Sequence, residues 1–228
     1  MSSLLLGSNL VSFHSNITTS VRDDIKDCLL LAQLRASEQF CSEQYWPQWA
    51  DAYRRTLISV GSNLTEVIDR SPVKVKKQKY FQGEAAKLVA SMPSPSLAIA
   101  ANDALAAMYR SDHAKNFYKS WFSSGRSDSF QIIPCERNVS GSIDIMLCGL
   151  QMVTRTKVST VRPLFIPMWP FSYELTLLLK GGKFLFSEAS YYPHRESVRA
   201  ELRQRGAQGI KSIELRASLT ESDNPAPR

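Results

Sequence analysis

Three histidines, His14, His113 and His194, are the only imidazoles in this chain. They are far apart and form no H-E-x-x-H, so the spacing that holds a hydrolytic zinc is missing. The four cysteines, Cys28, Cys41, Cys135 and Cys148, contain no C-x-x-C pair, which leaves zinc-ribbon and dithiol redox chemistry unsupported. They read as unbridged thiols in a reducing compartment. A Cys–His nucleophilic pair would have to join distant segments, and no local pattern selects one. No G-x-S-x-G, Walker loop or G-x-G-x-x-G occurs, so neither a nucleophile elbow nor a bound nucleotide is signalled, and no cofactor or metal is expected.

The carboxylates offer little more. Asp23, Asp24 and Asp27 open the first predicted helix, where acids complement the dipole. Asp144 and Glu174 fall on predicted strands. A pair of inward acids there would suit glycoside hydrolysis, but acids facing water or a basic partner are the simpler reading.

Charge and apolar exposure give the remaining candidates. Arg195, Arg199 and Arg203 repeat every four residues on a predicted C-terminal helix that also carries Arg205. Such a row grips phosphate or an acidic protein when it is a site. With Glu196 and Glu201 beside it and Val198 and Leu202 opposite, it also fits a solvated amphipathic face. Lys74, Lys76, Lys77 and Lys79 make a second basic run, readable as an anion-binding strip or as lysines blunting a sheet edge. In "FIPMWPF", Phe165, Met168, Trp169 and Phe171 are candidate partner or membrane contacts, at headgroup depth if lipid is the partner. The alternative is a proline-ordered loop packed on the core.

These residues must be positioned by ordinary globular elements. The 228 residues are 43% hydrophobic and 21% charged, enough for one sizeable core and unlike a disordered chain. The formal charge of +7 leans weakly toward anionic partners. The basic residues are spread out, so nucleic acid is not the expected partner. The apolar run Leu4–Leu6 is short and lacks a basic flank, so a signal peptide is not expected. The sequons at Asn16, Asn63 and Asn138 then read as chance matches. A cytoplasmic protein, or one released without a classical signal peptide, is expected.

The first half reads as helices. Ser20 and Asp23 resemble a capping box, and Ile25, Cys28, Leu29, Ala32 and Ala36 fall on one face. In "YWPQWADAY", four aromatics in nine residues could suggest a binding cage. Yet Trp46, Trp49, Ala50, Tyr53, Leu57 and Val60 recur at three- and four-residue intervals, the spacing of a buried helix face. Ser42 is the expected cap, Pro47 suits a first turn, and Gly61 offers a stop. Residues 62–82 read as a connector. Helices are predicted over Glu84–Met92, over Ser96–Arg110 and from Asp112.

From residue 129 the period shifts toward two. Strands are predicted over 129–135 and 142–154, joined by a turn at Asn138–Gly141, with an irregular strand over 158–166. Gly181-Gly182 suggests a two-residue hairpin within 172–190, apolar on both faces and therefore deep in the fold or turned to a partner. A helix from Pro193 to Arg205 and a short strand near Ile213 follow. The expected fold is α+β: N-terminal helices packed on a C-terminal antiparallel sheet, with a helix near the C-terminus. Residues 1–228 are expected to form one domain, with 1–19 an N-terminal extension and 218–228 a flexible tail.

The segments "LLLAQLRASEQF" and "WPQWADAYRRTLISVG" resemble a family of small bacterial and fungal proteins without assigned activity. Leu30, Leu31, Ala32, Gln33, Leu34 and Ala36 match its first helix; Trp46, Trp49, Tyr53, Leu57 and Gly61 match its second. "SFQIIPCERNVSGSIDI" is similar to its strand-turn-strand through Phe130, Gln131, Cys135, Glu136 and Gly141. The resemblance implies an accessory role, associated with insecticidal or pore-forming toxins or with virulence, and carries no catalytic residue. Three expectations follow. The first is a non-enzymatic factor that binds a protein partner or forms homo-oligomers. The second is a protein acting at an anionic membrane surface through the basic runs and Phe165–Phe171. The third is an enzyme whose site is assembled from scattered residues.

Overall fold

The computed structural model describes residues 2–42, 44–75, 94–111, 128–154, 175–206 and 212–215. Seven described strands form one sheet: β1 (Ser2–Leu6), β2 (Asn9–Phe13), β3 (Asn63–Val75), β4 (Asp128–Arg137), β5 (Ile143–Thr154), β6 (Leu175–Phe186) and β7 (Ser212–Leu215). Their order is β3-β6-β5-β4-β2-β1-β7. Every adjacent pair is antiparallel except β2 with β4. The described helices are α1 (Thr19–Gln39), α2 (Trp46–Ser59), α3 (Pro95–Arg110) and α4 (Arg195–Gln204). One helical turn at Glu188–Tyr191 and a 3₁₀ turn at Tyr192–His194 lead into α4. The α+β class expected from the period change is the class observed.

The helices divide between the two faces of the sheet. Val11, Phe13, Ile133, Cys135, Ile143, Ile145, Leu147, Phe184 and Phe186 share one core with α1, α2 and α4. Strand alternation sends the intervening residues Leu5, Leu10 and Ile132 to the reverse side. There α3 packs against β1, β2, β4 and β7 and buries Leu97, Ala100, Ala101 and Ala104. Helices thus cover both faces of the sheet.

The helix readings hold in their buried faces and shift at their ends. All five residues assigned to the inner face of α1 are buried, as are Trp46, Trp49, Ala50, Tyr53, Leu57 and Val60. The aromatic stretch is therefore interior, except for Tyr45, which is half exposed at the N-cap of α2. Helix α1 starts at Thr19, capped by Thr18 backbone rather than by a Ser20–Asp23 box, which removes the three aspartates from its first turn. Tyr45, not Ser42, precedes α2, with Pro47 in its first turn. Ser94 caps α3 by accepting from the Leu97 amide.

Three strand readings are corrected. Residues 1–19, expected as an extension, contain β1 and β2, joined by a two-residue turn at Gly7-Ser8 that sets Leu6 opposite Asn9. Residues 63–75, within the expected 62–82 connector, form the edge strand β3, in keeping with the sheet-edge reading of Lys74. Gly181-Gly182 is not a turn. Both lie inside β6, opposite Cys148 and Leu147 of β5 and Ile68 and Val67 of β3. A Cβ on Gly181 would stand 1.8 Å from the Leu147 carbonyl oxygen, so glycine serves close strand approach here, not chain reversal. The apolar pattern that suggested a partner-facing hairpin belongs to a strand flanked on both sides. The predicted elements over 84–92, from 112 and over 158–166, and the tail 218–228, lie outside the described residues.

Candidate functional site

A groove of about 290 Å³ opens between the first turns of α1 and the margin of the sheet where β1 and β7 lie. The strand register explains its lining. Ser2 pairs with Phe13, and Leu4 pairs with both Val11 and Glu214, so Ser2, Leu4, Phe13 and Glu214 all turn to the α1 side. Leu4 and Phe13 are buried and form an apolar floor, while Leu215, paired with Ser3, turns to the other face. Thr19, Arg22, Asp23 and Lys26 of α1 supply the other wall.

Arg22 is held on several sides. Its Nε donates to the Ile17 carbonyl at 2.9 Å, one Nη to Ser2 Oγ at 2.9 Å, and the other to the His14 carbonyl at 3.5 Å. Its guanidinium carbon lies 5.9 Å from the Phe13 ring centroid. Lys26 pairs with Asp23 at 2.6 Å. The groove is thus a preformed concavity with fixed hydrogen-bonding groups around an apolar base.

Among the described residues, the most perturbed acidities lie elsewhere. Burial pushes up the thiols of Cys28 and Cys135 and the phenols of Tyr53 and Tyr191, and none of these side chains lines the groove. They belong to the shared core, where desolvation suppresses ionisation. No group of three or more His, Cys, Asp or Glu residues able to hold a metal occurs among the described residues.

Two members of the arginine row turn inward. Arg195 forks onto Asp24, donating from Nε at 3.0 Å and Nη2 at 2.5 Å. Arg199 donates to Asp24 and Asp27, each at 3.3 Å. Asp24 is 0% exposed, so its charge is carried entirely by these partners. Further along, Arg35 and Arg205 both reach Glu201, and Arg205 also pairs with Glu38. This ladder fixes α4 beside α1 in the same direction. The Arg195 guanidinium is held more strongly protonated by its bond to Asp24. Burial raises Asp27, with Arg199 opposing, whereas the bond from Arg35 lowers Glu201. Arg203 stays exposed.

The other candidates are scattered. Lys74 is exposed on β3, while Lys76, Lys77 and Lys79 lie outside the described residues, as do Phe165, Met168, Trp169, Phe171, Glu174 and His113. Asp144 accepts from Asn138 and Lys183, each at 3.1 Å, and lies directly across the β4–β5 ladder from Glu136, also buried. Sequence reasoning missed the groove because it placed Ser2, Leu4 and Phe13 in an extension. The turn chemistry of Gly7-Ser8 between two apolar runs was the signal that could have revealed it.

No protein-family profile matches this chain, and no curated protein matches it in sequence. Among solved structures it is similar to a delta-endotoxin, with a TM-score of 0.45 and 11% identity over 80% of this chain and 84% of that one. It is also similar to the Evf virulence factor, with a TM-score of 0.36 and 10% identity over 88% of this chain and 82% of that one. Likenesses this loose carry no argument about what this chain does.

Proposed function

We propose that this chain is a non-enzymatic binding protein, an accessory or virulence-associated factor that holds a protein partner at the groove beside β1 and β7. One contrast carries the reading. The groove's Arg22, Lys26 and Asp23 are locked in hydrogen bonds and ion pairs, while the groups with strongly shifted acidity are sealed in the core. Catalysis concentrates perturbed groups in the cleft that receives substrate; recognition needs fixed polar groups over an apolar floor. The test is affinity capture from cells that naturally make the protein, using the wild type and a groove-filling Ser2→Trp variant with matched thermal stability. A partner retained by the wild type and lost by the variant is expected. Equal capture by both, or none by either, rejects the proposal.

A second reading, action at an anionic membrane surface, is favoured by the exposed tips around the β4–β5 turn. Val139 is fully exposed at the tip of the β4–β5 turn, and Tyr192 is 70% exposed. The Arg137–Glu188 ion pair at 3.3 Å ties the two loops to the same end. Exposed apolar tips beside cations suit shallow insertion among anionic headgroups. No described helix is long and apolar enough to cross a membrane. Co-sedimentation with phosphatidylserine vesicles should show salt-sensitive binding that Val139→Asp abolishes; its absence at low salt dismisses this reading.

A further inference from the structure

Helix α4 meets α1 through more charge than carbon. The side chains it buries are Val198 and Leu202, whereas α2 buries Trp46, Trp49, Ala50, Ala52, Tyr53 and Leu57. A helix of ten residues has little stability of its own, so docking decides whether α4 forms. Arg195 and Arg199 bind Asp24, Arg199 also binds Asp27, Arg35 and Arg205 bind Glu201, and Arg205 binds Glu38. The two signs in this ladder answer acid differently. Every cation is an arginine, which keeps its charge, and every anion is a carboxylate, which does not. Protonated, the acids leave guanidinium groups facing one another across the seam, Arg35 from α1 against Arg205 from α4.

The neighbouring groups do not restore the balance. Glu196 is exposed and reaches Arg199 at 3.9 Å, and Arg203 is exposed on the outer side of α4. Glu188 is engaged by Arg137, and Asp23 by Lys26. Cys28 and Tyr191, pushed up by burial, stay neutral, and Tyr192 offers Arg195 only its ring, at 5.5 Å. His194, at the N-cap of α4, gains positive charge in acid, which the N-terminus of a helix disfavours. Arg35 holds Glu201 low, so that bond supports docking fully above the ordinary glutamate value and is lost as pH falls through the depressed one. Asp27, raised by burial, works in the opposite sense. The chain on either side of α4 is anchored without these charges. Tyr191 is sealed with its ring 5.4 Å from that of Phe186, and β7 pairs with β1. We propose that α4 is an acid-released strap: as the carboxylates of the ladder protonate, it undocks while the sheet, α1 and α2 stay folded, baring Val198, Leu202 and the stripe of α1 between Asp24 and Glu38.

Hydrogen exchange read by mass spectrometry tests this on the intact protein between pH 7 and pH 3.5, with rates corrected for intrinsic exchange. Amides of residues 195–204 should lose about tenfold or more in protection below about pH 4.5, while those of residues 46–59 keep theirs. In Glu201→Gln, protection of 195–204 should already be about tenfold lower at pH 7, the effect of one charge-assisted hydrogen bond, and should fall less steeply in acid. Equal loss in both helices, which marks global acid unfolding, overturns the inference. So does an α4 still protected at pH 3.5, or an α4 profile that Glu201→Gln leaves unchanged.

Discussion

Adding one methyl group to Gly181 should be among the most damaging single changes in this protein. The Cβ would sit 1.8 Å from the Leu147 carbonyl oxygen and 2.8 Å from its carbon, both backbone atoms that no rotamer change can move. Relief requires β5 and β6 to separate where Gly181 faces Cys148 and Gly182 faces Leu147. Overpacking of this kind costs about 1–3 kcal/mol. Parting the ladder weakens neighbouring backbone hydrogen bonds at about 1 kcal/mol each. It also disturbs the bond from Arg54 to the Gly181 carbonyl, 3.1 Å long and charge-assisted. Gly181→Ala should therefore lose about 4 kcal/mol, a fall in Tm of roughly 10 °C for a chain of this size. Gly182→Ala should be milder, since its nearest contact at 2.6 Å is a Leu64 methyl that can rotate, although Glu66 carbonyl follows at 2.7 Å. Gly141→Ala meets nothing within 4 Å and bears only the strain of φ +84°, about 1 kcal/mol. Urea denaturation followed by tryptophan fluorescence ranks the three. A Gly181→Ala loss no larger than that of Gly141→Ala would refute the buried central strand and restore a tight turn at Gly181-Gly182.

Two further outcomes test how α4 is held. Asp24→Asn leaves Arg195 and Arg199 without their fully buried counter-charge. Breaking such a pair costs several kcal/mol when both partners are sealed; because the two arginines keep partial access to water, about 2–3 kcal/mol is expected in urea denaturation. The second concerns pH. Arg35 lowers Glu201 in the folded state, so this contribution is fully present above the ordinary glutamate value and is lost as pH falls through the depressed folded value. Thermal melts from pH 7 to pH 3 should show a drop below about pH 4.5 that Glu201→Gln flattens. Asp27, raised by burial, acts with the opposite sign and should persist as a small opposing trend in that variant.

Helical periodicity in the first half was legible because it is local. A buried face repeating at three and four residues can be read from neighbours, and α1 and α2 buried the side chains it named. The site was not legible for the same reason inverted. Ser2, Phe13, Arg22 and Glu214 are brought together by strand pairing across some two hundred residues, which leaves no trace in local spacing. The arginine row shows the limit in another form. Its four-residue repeat was plain, but only the packing of α4 on α1 decided that Arg195 and Arg199 would meet Asp24 and Asp27 rather than a ligand.

Composition and period alone determined an α+β chain with a substantial apolar interior and the inward faces of α1 and α2. Only the tertiary structure decided that β1 and β2 belong to the sheet, that Gly181 allows two strands to touch, and which charges pair. Side-chain pattern reports burial one residue at a time, whereas strand order, close backbone approach and charge pairing depend on which distant segment arrives alongside.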